Sequence, residues 1–145
     1  MSAASSRPPQ MPWLSPYLTV KSSEAALDFY QRAFGFTTKV TMPMPDGKLG
    51  HVEMTWNDAL IMFGPEGVNG GTCKSPASLG VQSPVHLYVY CDDVDALCQQ
   101  AQAAGARVEL APQDMFWGDR MCKLVDPDGH VWNFATHKGN GATPH

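Results

Sequence analysis

The chain has 145 residues, of which 43% are hydrophobic, 10% aromatic and 17% charged, with a net charge of −4 at pH 7 and a pI near 5.6. That length suits one core or two small lobes sharing one, and the ten Lys and Arg are scattered rather than grouped, which argues against a nucleic-acid partner. No apolar run approaches the length of a membrane span and no apolar segment follows the basic start of a signal peptide, so no membrane partner is expected and the chain reads as cytoplasmic.

Residues 1–11 are polar and rich in Pro and Ser, and are expected to form a disordered tail. Trp13 to Val20 alternates with β-branched and aromatic residues, predicting a strand. Ser22 or Ser23 then offers an N-cap and Glu24 puts negative charge in the first turn. Ala26, Leu27, Tyr30 and Phe34 recur at helical spacing until Gly35 stops the helix. Strands are predicted over 36–42, 49–56 and 59–64, the last two joined at Asn57-Asp58, which completes a βαβββ module over 12–64. Residues 65–84 carry little hydrophobic periodicity and read as a linker.

The same order then repeats over 85–137. A strand at 85–90 is followed by a helix at about 93–104 capped by Asp92 or Asp93 and stopped by Gly105. Strands follow at 107–110, 120–125 and 130–136, the last two joined by the Asp126-Pro127-Asp128-Gly129 turn. Residues 138–145 are expected to be a second tail. A supersecondary unit copied whole, with the copies related by a pseudo-twofold, builds a cleft where their sheets meet. The expected fold is α+β: two tandem βαβββ modules forming a curved, cleft-shaped sheet with helices on its outer face.

Strand parity predicts what lines that cleft. Pairing the first hairpin about Asn57-Asp58 sets Glu53 across from Met62 and Trp56 across from Ala59. The apolar set Val52, Met54, Trp56, Ala59, Ile61 and Phe63 then belongs under the helix, and His51, Glu53, Thr55, Leu60 and Met62 face the cleft. By the same test Leu14, Leu18 and Val20 turn inward against Ser15, Tyr17 and Thr19, and Val85, Leu87 and Val89 oppose His86, Tyr88 and Tyr90. In the last hairpin Met121, Val125, Trp132 and Phe134 are expected to oppose Arg120, Cys122, Leu124, Val131 and Asn133.

Leu18-Thr19-Val20 with Ala26-Leu27-Asp28-Phe29-Tyr30 and Phe34-Gly35-Phe36, repeated as Pro84-Val85-His86-Leu87-Tyr88-Val89 with Val125-Asp126-Pro127-Asp128-Gly129-His130, resemble the vicinal oxygen chelate superfamily. That superfamily includes glyoxalase I, extradiol dioxygenases and bleomycin-resistance proteins. Asp114 to Arg120 and the ending Trp132 to His137 look like its PhnB-like branch. The resemblance implies a homodimer. In metal-dependent members it implies four ligands on the first and last strands of each module, which here fall on Ser15, Met62, His86 and Asn133. Only His86 is a good ligand for a divalent ion, with Glu53 able to approach from the neighbouring strand.

These residues support a small-molecule-binding protein that needs no cofactor and holds an aromatic or amphipathic ligand among Tyr17, His51, Glu53, Met62, His86, Tyr88, Tyr90, Phe116, Trp117, Arg120, Cys122 and Asn133. The alternative is a divalent-metal-dependent lyase, isomerase or dioxygenase using His86 and Glu53. A third reading is metal-free, with Glu53 as general base. Each residue has a structural counterpart reading: a neutral hydrogen-bonded His86, a Glu53 paired with Arg120 or His51, a core-like Cys122, and Phe116 and Trp117 packed for stability alone. The four cysteines lack zinc spacing and are expected as free thiols.

Overall fold

The computed structural model describes residues 5–139, so the outer ends of both expected tails lie outside the described residues. Module one comprises β1 (Tyr17–Val20), α1 (Ser23–Phe34), β2 (Thr37–Pro43), β3 (Leu49–Trp56) and β4 (Ala59–Pro65). A short helix, α2 (Pro76–Leu79), lies in the connecting segment. Module two comprises β5 (His86–Tyr90), α3 (Val94–Ala103), β6 (Arg107–Asp114), β7 (Asp119–Val125) and β8 (Val131–His137). The sheets have matching strand orders, β1-β4-β3-β2 and β5-β8-β7-β6, each with one parallel pair at the edge that carries the module's first strand.

Local chemistry explains the helices. The Ser22 side chain accepts from Ala25 N at 3.2 Å, and Gly35, at φ 78°, takes the left-handed conformation that ends α1 and returns its N–H to Gln31 O. Ala26, Phe29, Tyr30, Ala33 and Phe34 form the buried stripe of α1. In α3, Asp93 caps Ala96 N at 3.1 Å, and Val94, Leu97, Cys98 and Ala101 repeat that stripe. Both helices pack on one joint core, where Phe34 lies 4.6 Å from Phe134 and 5.0 Å from Trp132 between ring centroids.

The first hairpin pairs as the sequence predicts, Glu53 with Met62 and Trp56 with Ala59, so Val52, Met54, Ile61 and Phe63 are buried under α1. Leu14 departs from expectation at 87% exposed, because β1 begins only at Tyr17 and nothing holds Leu14 in register.

The last hairpin differs in register. Val125 pairs with Val131, which leaves five residues in the turn and sets Cys122 against Phe134, Leu124 against Trp132 and Lys123 against Asn133. Cys122 and Leu124 therefore face the core with Trp132 and Phe134, while Met121, Lys123 and Val125 share the opposite face with Val131 and Asn133. The cause is Asp126. Its Oδ1 accepts from Asp128 N at 3.0 Å and His130 N at 2.9 Å, which stabilises the wider turn.

The same turn fastens the modules together. Asp126 Oδ2 accepts from Tyr30 Oη of α1 at 2.6 Å and from Trp132 Nε1 at 2.9 Å. Lys21 N donates to Asp128 Oδ1 at 2.8 Å, and His130 Nε2 donates to the Thr19 carbonyl at 2.8 Å. At the other end of the seam Trp56 Nε1 donates to Tyr90 O at 3.1 Å.

Candidate functional site

The sheet faces turned away from the helices carry two side-chain clusters, one from each module, separated by the seam. In module one, Tyr17 stands on β1 beside Met62, and Met62 pairs across to Glu53. Glu53 Oε2 lies 2.9 Å from His51 Nε2, so its partner is the imidazole two residues away on the same strand. The ring of His51 stacks on Tyr17 at 5.7 Å and 28°, with Tyr17 Oη 3.5 Å from Nδ1. Tyr17 can lie in this position because residue 64 is glycine: a Cβ there would sit 2.6 Å from Tyr17 Oη and 2.8 Å from Gly50 O. Burial raises the Tyr17 phenol above its ordinary range.

In module two the organising group is Asp119, only 2% exposed. Its Oδ2 accepts from Tyr88 Oη at 2.6 Å, Tyr90 Oη at 2.9 Å and Trp117 Nε1 at 3.1 Å, and its Oδ1 lies 2.8 Å from His137 Nδ1. Burial alone would push this carboxyl up, but the bonds from Tyr88, His137, Tyr90 and Trp117 outweigh it and hold the pKa below the usual carboxylate value. The phenols shift the opposite way. Burial followed by the bond to Asp119 pushes Tyr88 up to about 12, and the same bond followed by burial raises Tyr90.

Between the clusters, Asn133 Nδ2 donates to His86 Nδ1 at 3.3 Å. That assigns the proton of a neutral imidazole to Nε2. Asn133 Oδ1 is buried without a partner among the described residues. A cavity of about 240 Å³ lies at the seam, bounded by Pro16, Leu60, His86 and Tyr88, with Trp56 and Trp132 beneath.

Tyr17, His51, Glu53, Met62, His86, Tyr88, Tyr90 and Asn133 thus share the open faces, and Trp117 joins them from the β6–β7 turn. Phe116 packs edge-on against Trp117 at 4.9 Å and is otherwise 64% exposed. Two expected residues are elsewhere. Arg120 points to the helix side, where its guanidinium meets Asp95 at 2.8 Å and Asp114 at 3.3 Å. Those bonds raise Arg120 and, in return, lower Asp95. Cys122 is fully buried in the core, and burial pushes its thiol up to about 12, far from a nucleophile's range. The five-residue β7–β8 turn puts both one residue out of phase with the four-residue turn that the sequence predicts.

Sequence reasoning missed Asp119, His137 and Lys123. All three occupy the open-face register of β7 and β8 once the five-residue turn is counted. Lys123 forms no ion pair within 4.0 Å among the described residues.

The four positions to which the motif resemblance assigns metal ligands, Ser15, Met62, His86 and Asn133, supply a hydroxyl, a thioether, an imidazole and an amide. That set has no carboxylate, and Glu53, across the ladder from Met62, is already held by His51. These donors do not fit a catalytic divalent ion. No group of three or more His, Cys, Asp or Glu among the described residues is placed to hold one.

The profile of the glyoxalase/bleomycin resistance protein/dioxygenase superfamily matches residues 11–134. The chain belongs to that superfamily. Among its relatives is an uncharacterized protein of Mycobacterium bovis, Mb0911c, 40% identical over 124 residues, covering 84% of this chain and 81% of that protein. The glyoxalase-type fold is also that of TioX from Micromonospora sp. ML1, 26% identical with a TM-score of 0.69 over 86% of this chain and 97% of TioX. A mutant of the fosfomycin resistance protein FosX from Listeria monocytogenes, solved with Mn(II) and 1S,2S-dihydroxypropylphosphonic acid, shares the fold with a TM-score of 0.64. Its identity is 16%, over 86% of this chain and 87% of FosX, so the likeness to FosX concerns architecture alone.

Proposed function

We propose that this superfamily member binds a small, partly aromatic or amphipathic organic molecule on the open faces of its two sheets, in the manner of a bleomycin-resistance protein and with no metal required. The observation that carries this reading is the fixing of exposed aromatic side chains by a buried polar network. Tyr88, Tyr90 and Trp117 remain 41%, 55% and 38% exposed although their polar atoms converge on one buried carboxylate. Exposed aromatics held rigid in this way lose little freedom when a ligand stacks on them. Glu53, His51 and His86 supply a polar end on the same side. A PhnB-like assignment and a homodimer are parts of the proposal that rest on the resemblance of motifs, and a cytoplasmic setting is a part that rests on the four cysteines being free thiols.

A second reading is favoured by one feature, the chain of contacts from Tyr17 through His51 to Glu53. It would suit metal-free proton transfer with Glu53 as base and His51 orienting it.

A thermal-shift screen of planar aromatics and aromatic antibiotics tests the binding reading. A ligand at about 100 times its Kd adds roughly 2.7 kcal/mol to the stability of the folded state. At least one compound is expected to raise Tm by several degrees and to quench Trp117, with the quench lost in Trp117→Leu. A panel that leaves Tm and fluorescence unchanged throughout would overturn the proposal.

A further inference from the structure

The Asp119 cluster carries more information than a generic aromatic wall. Its carboxylate is formally negative and almost wholly buried, yet Lys123, the nearest Lys or Arg on the open-face register of β7, makes no ion pair with it. The Arg120 guanidinium next in sequence is turned to the other face by Asp95 and Asp114. Every group on Oδ2 is a neutral donor: two phenols and an indole. Among the described residues, the one partner able to carry positive charge is His137, 60% exposed and bound to Oδ1. A buried carboxylate stabilised chiefly by neutral dipoles projects its remaining field toward the rings that surround it.

Those rings are altered by the bonds they make. A phenol donating to a carboxylate at 2.6 Å forms a charge-assisted bond that shifts electron density into its ring, and an electron-rich face attracts cations more strongly. The donated protons also determine what a ligand can meet. With their hydrogens committed to Asp119, the oxygens of Tyr88 and Tyr90 present only lone pairs, and Tyr88 Oη also lies 3.2 Å from Trp117 Nε1. Tyr88 and Tyr90 stand at 62° with centroids 5.5 Å apart, which gives two differently inclined faces. Asn133, paired with Tyr88 across the β5–β8 ladder, adds a buried carbonyl oxygen without a hydrogen-bond partner among the described residues. Each of these features favours positive charge or N–H groups in a ligand and disfavours anions.

We infer that the Tyr88, Tyr90 and Trp117 side chains around Asp119 form a recognition site for an organic ammonium ion, which gives the ligand of the open face a cationic end. The inference rests on the reading of that face as a ligand site and adds the chemical class of its occupant. Cation–π contact with the two tyrosine faces and the indole, backed by the carboxylate behind them, supplies the attraction. Lys123 pairs with Asn133 on the same face, so its ammonium repels a cation from that row and leaves the Tyr90 and Trp117 side for the cationic end.

The test compares two probes of nearly equal shape, (4-hydroxyphenyl)trimethylammonium and 4-tert-butylphenol, by calorimetry and by amide chemical-shift mapping on the full chain. The cation is expected to bind at least about tenfold more tightly than its neutral counterpart, with shifts centred on β5 and the β6–β7 turn. Asp119→Asn, which keeps an acceptor for the phenols but removes the charge, is expected to shrink that ratio to about twofold or less. Tyr90→Leu, at an exposed position, is expected to reduce it as well and serves if Asp119→Asn folds poorly. Equal affinities for the two probes would overturn the cation site while leaving the aromatic-ligand reading intact. So would cation binding mapped away from β5. Failure of both probes together with a silent aromatic panel would remove both readings.

Discussion

Asp126→Asn is expected to lower the unfolding temperature by about 10–15 °C, the largest effect of any isosteric change in the chain. All four groups around this carboxylate are donors: the backbone N–H of Asp128 and His130 on one oxygen, and Tyr30 Oη and Trp132 Nε1 on the other. An amide replaces one acceptor oxygen with an NH2 group, so in either orientation a donor faces donors in a region 5% exposed. Unsatisfied buried polar groups each cost about 1–3 kcal/mol, and the loss here is expected to total about 3–5 kcal/mol. Tyr30 is the only one of the four from module one, so Tyr30→Phe should produce a smaller loss, about 1–2 kcal/mol, that is largely absorbed when combined with Asp126→Asn. Thermal denaturation of the single and double variants checks this. Additive losses would show that Asp126 and Tyr30 do not act through one bond.

Asp119→Ala is expected to cost less stability, about 1–3 kcal/mol, but to disorganise the open face of module two. The loss is smaller because Tyr88, Tyr90, Trp117 and His137 are all partly exposed and water can replace the carboxylate. The diagnostic readout is tyrosine ionisation followed by ultraviolet absorbance. In the folded protein Tyr88 is pushed up to about 12, so its phenolate should appear well above the ordinary value near 10. A raised folded-state pKa means that this stabilisation is complete below the unfolded value and is lost as pH rises through the folded one. Asp119 has the opposite sign. Its depressed pKa gives stability that is present above the ordinary carboxylate range and is lost as pH falls through the folded-state value. In Asp119→Ala the Tyr88 transition should move down toward 10 and the acid-labile component should disappear. An unchanged Tyr88 titration would show that burial alone, not the carboxylate, sets it.

The duplicated βαβββ order, the helix caps and the first hairpin's register were legible because each depends on local signals: a serine cap, a left-handed glycine, and a tight Asn57-Asp58 turn that leaves no choice of pairing. The second hairpin was less legible for an equally specific reason. Asp126 uses both carboxylate oxygens to hold a five-residue turn, and a one-residue change in turn length exchanges the faces of β7. That exchange brought Arg120 and Cys122 into the expected pocket and concealed Asp119 and Lys123. Of the two structural partners that the sequence offers Glu53, Arg120 and His51, the imidazole is the one that lies within hydrogen-bond distance. The convergence of Tyr88, Tyr90 and Trp117 on one oxygen was not legible, because residues from β5 and the β6–β7 turn meet only through tertiary packing.

A FosX mutant that shares this fold was solved with Mn(II). In this chain Ser15, Met62, His86 and Asn133 suit hydrogen bonding better than coordination. Calorimetric titration of Mn(II), Ni(II) and Zn(II) into chelator-treated wild type and His86→Ala tests that distinction most directly. The account predicts only weak binding, with affinities that differ less than about twofold between the two proteins. One ion per chain bound at micromolar affinity or tighter, and lost in His86→Ala, would contradict it.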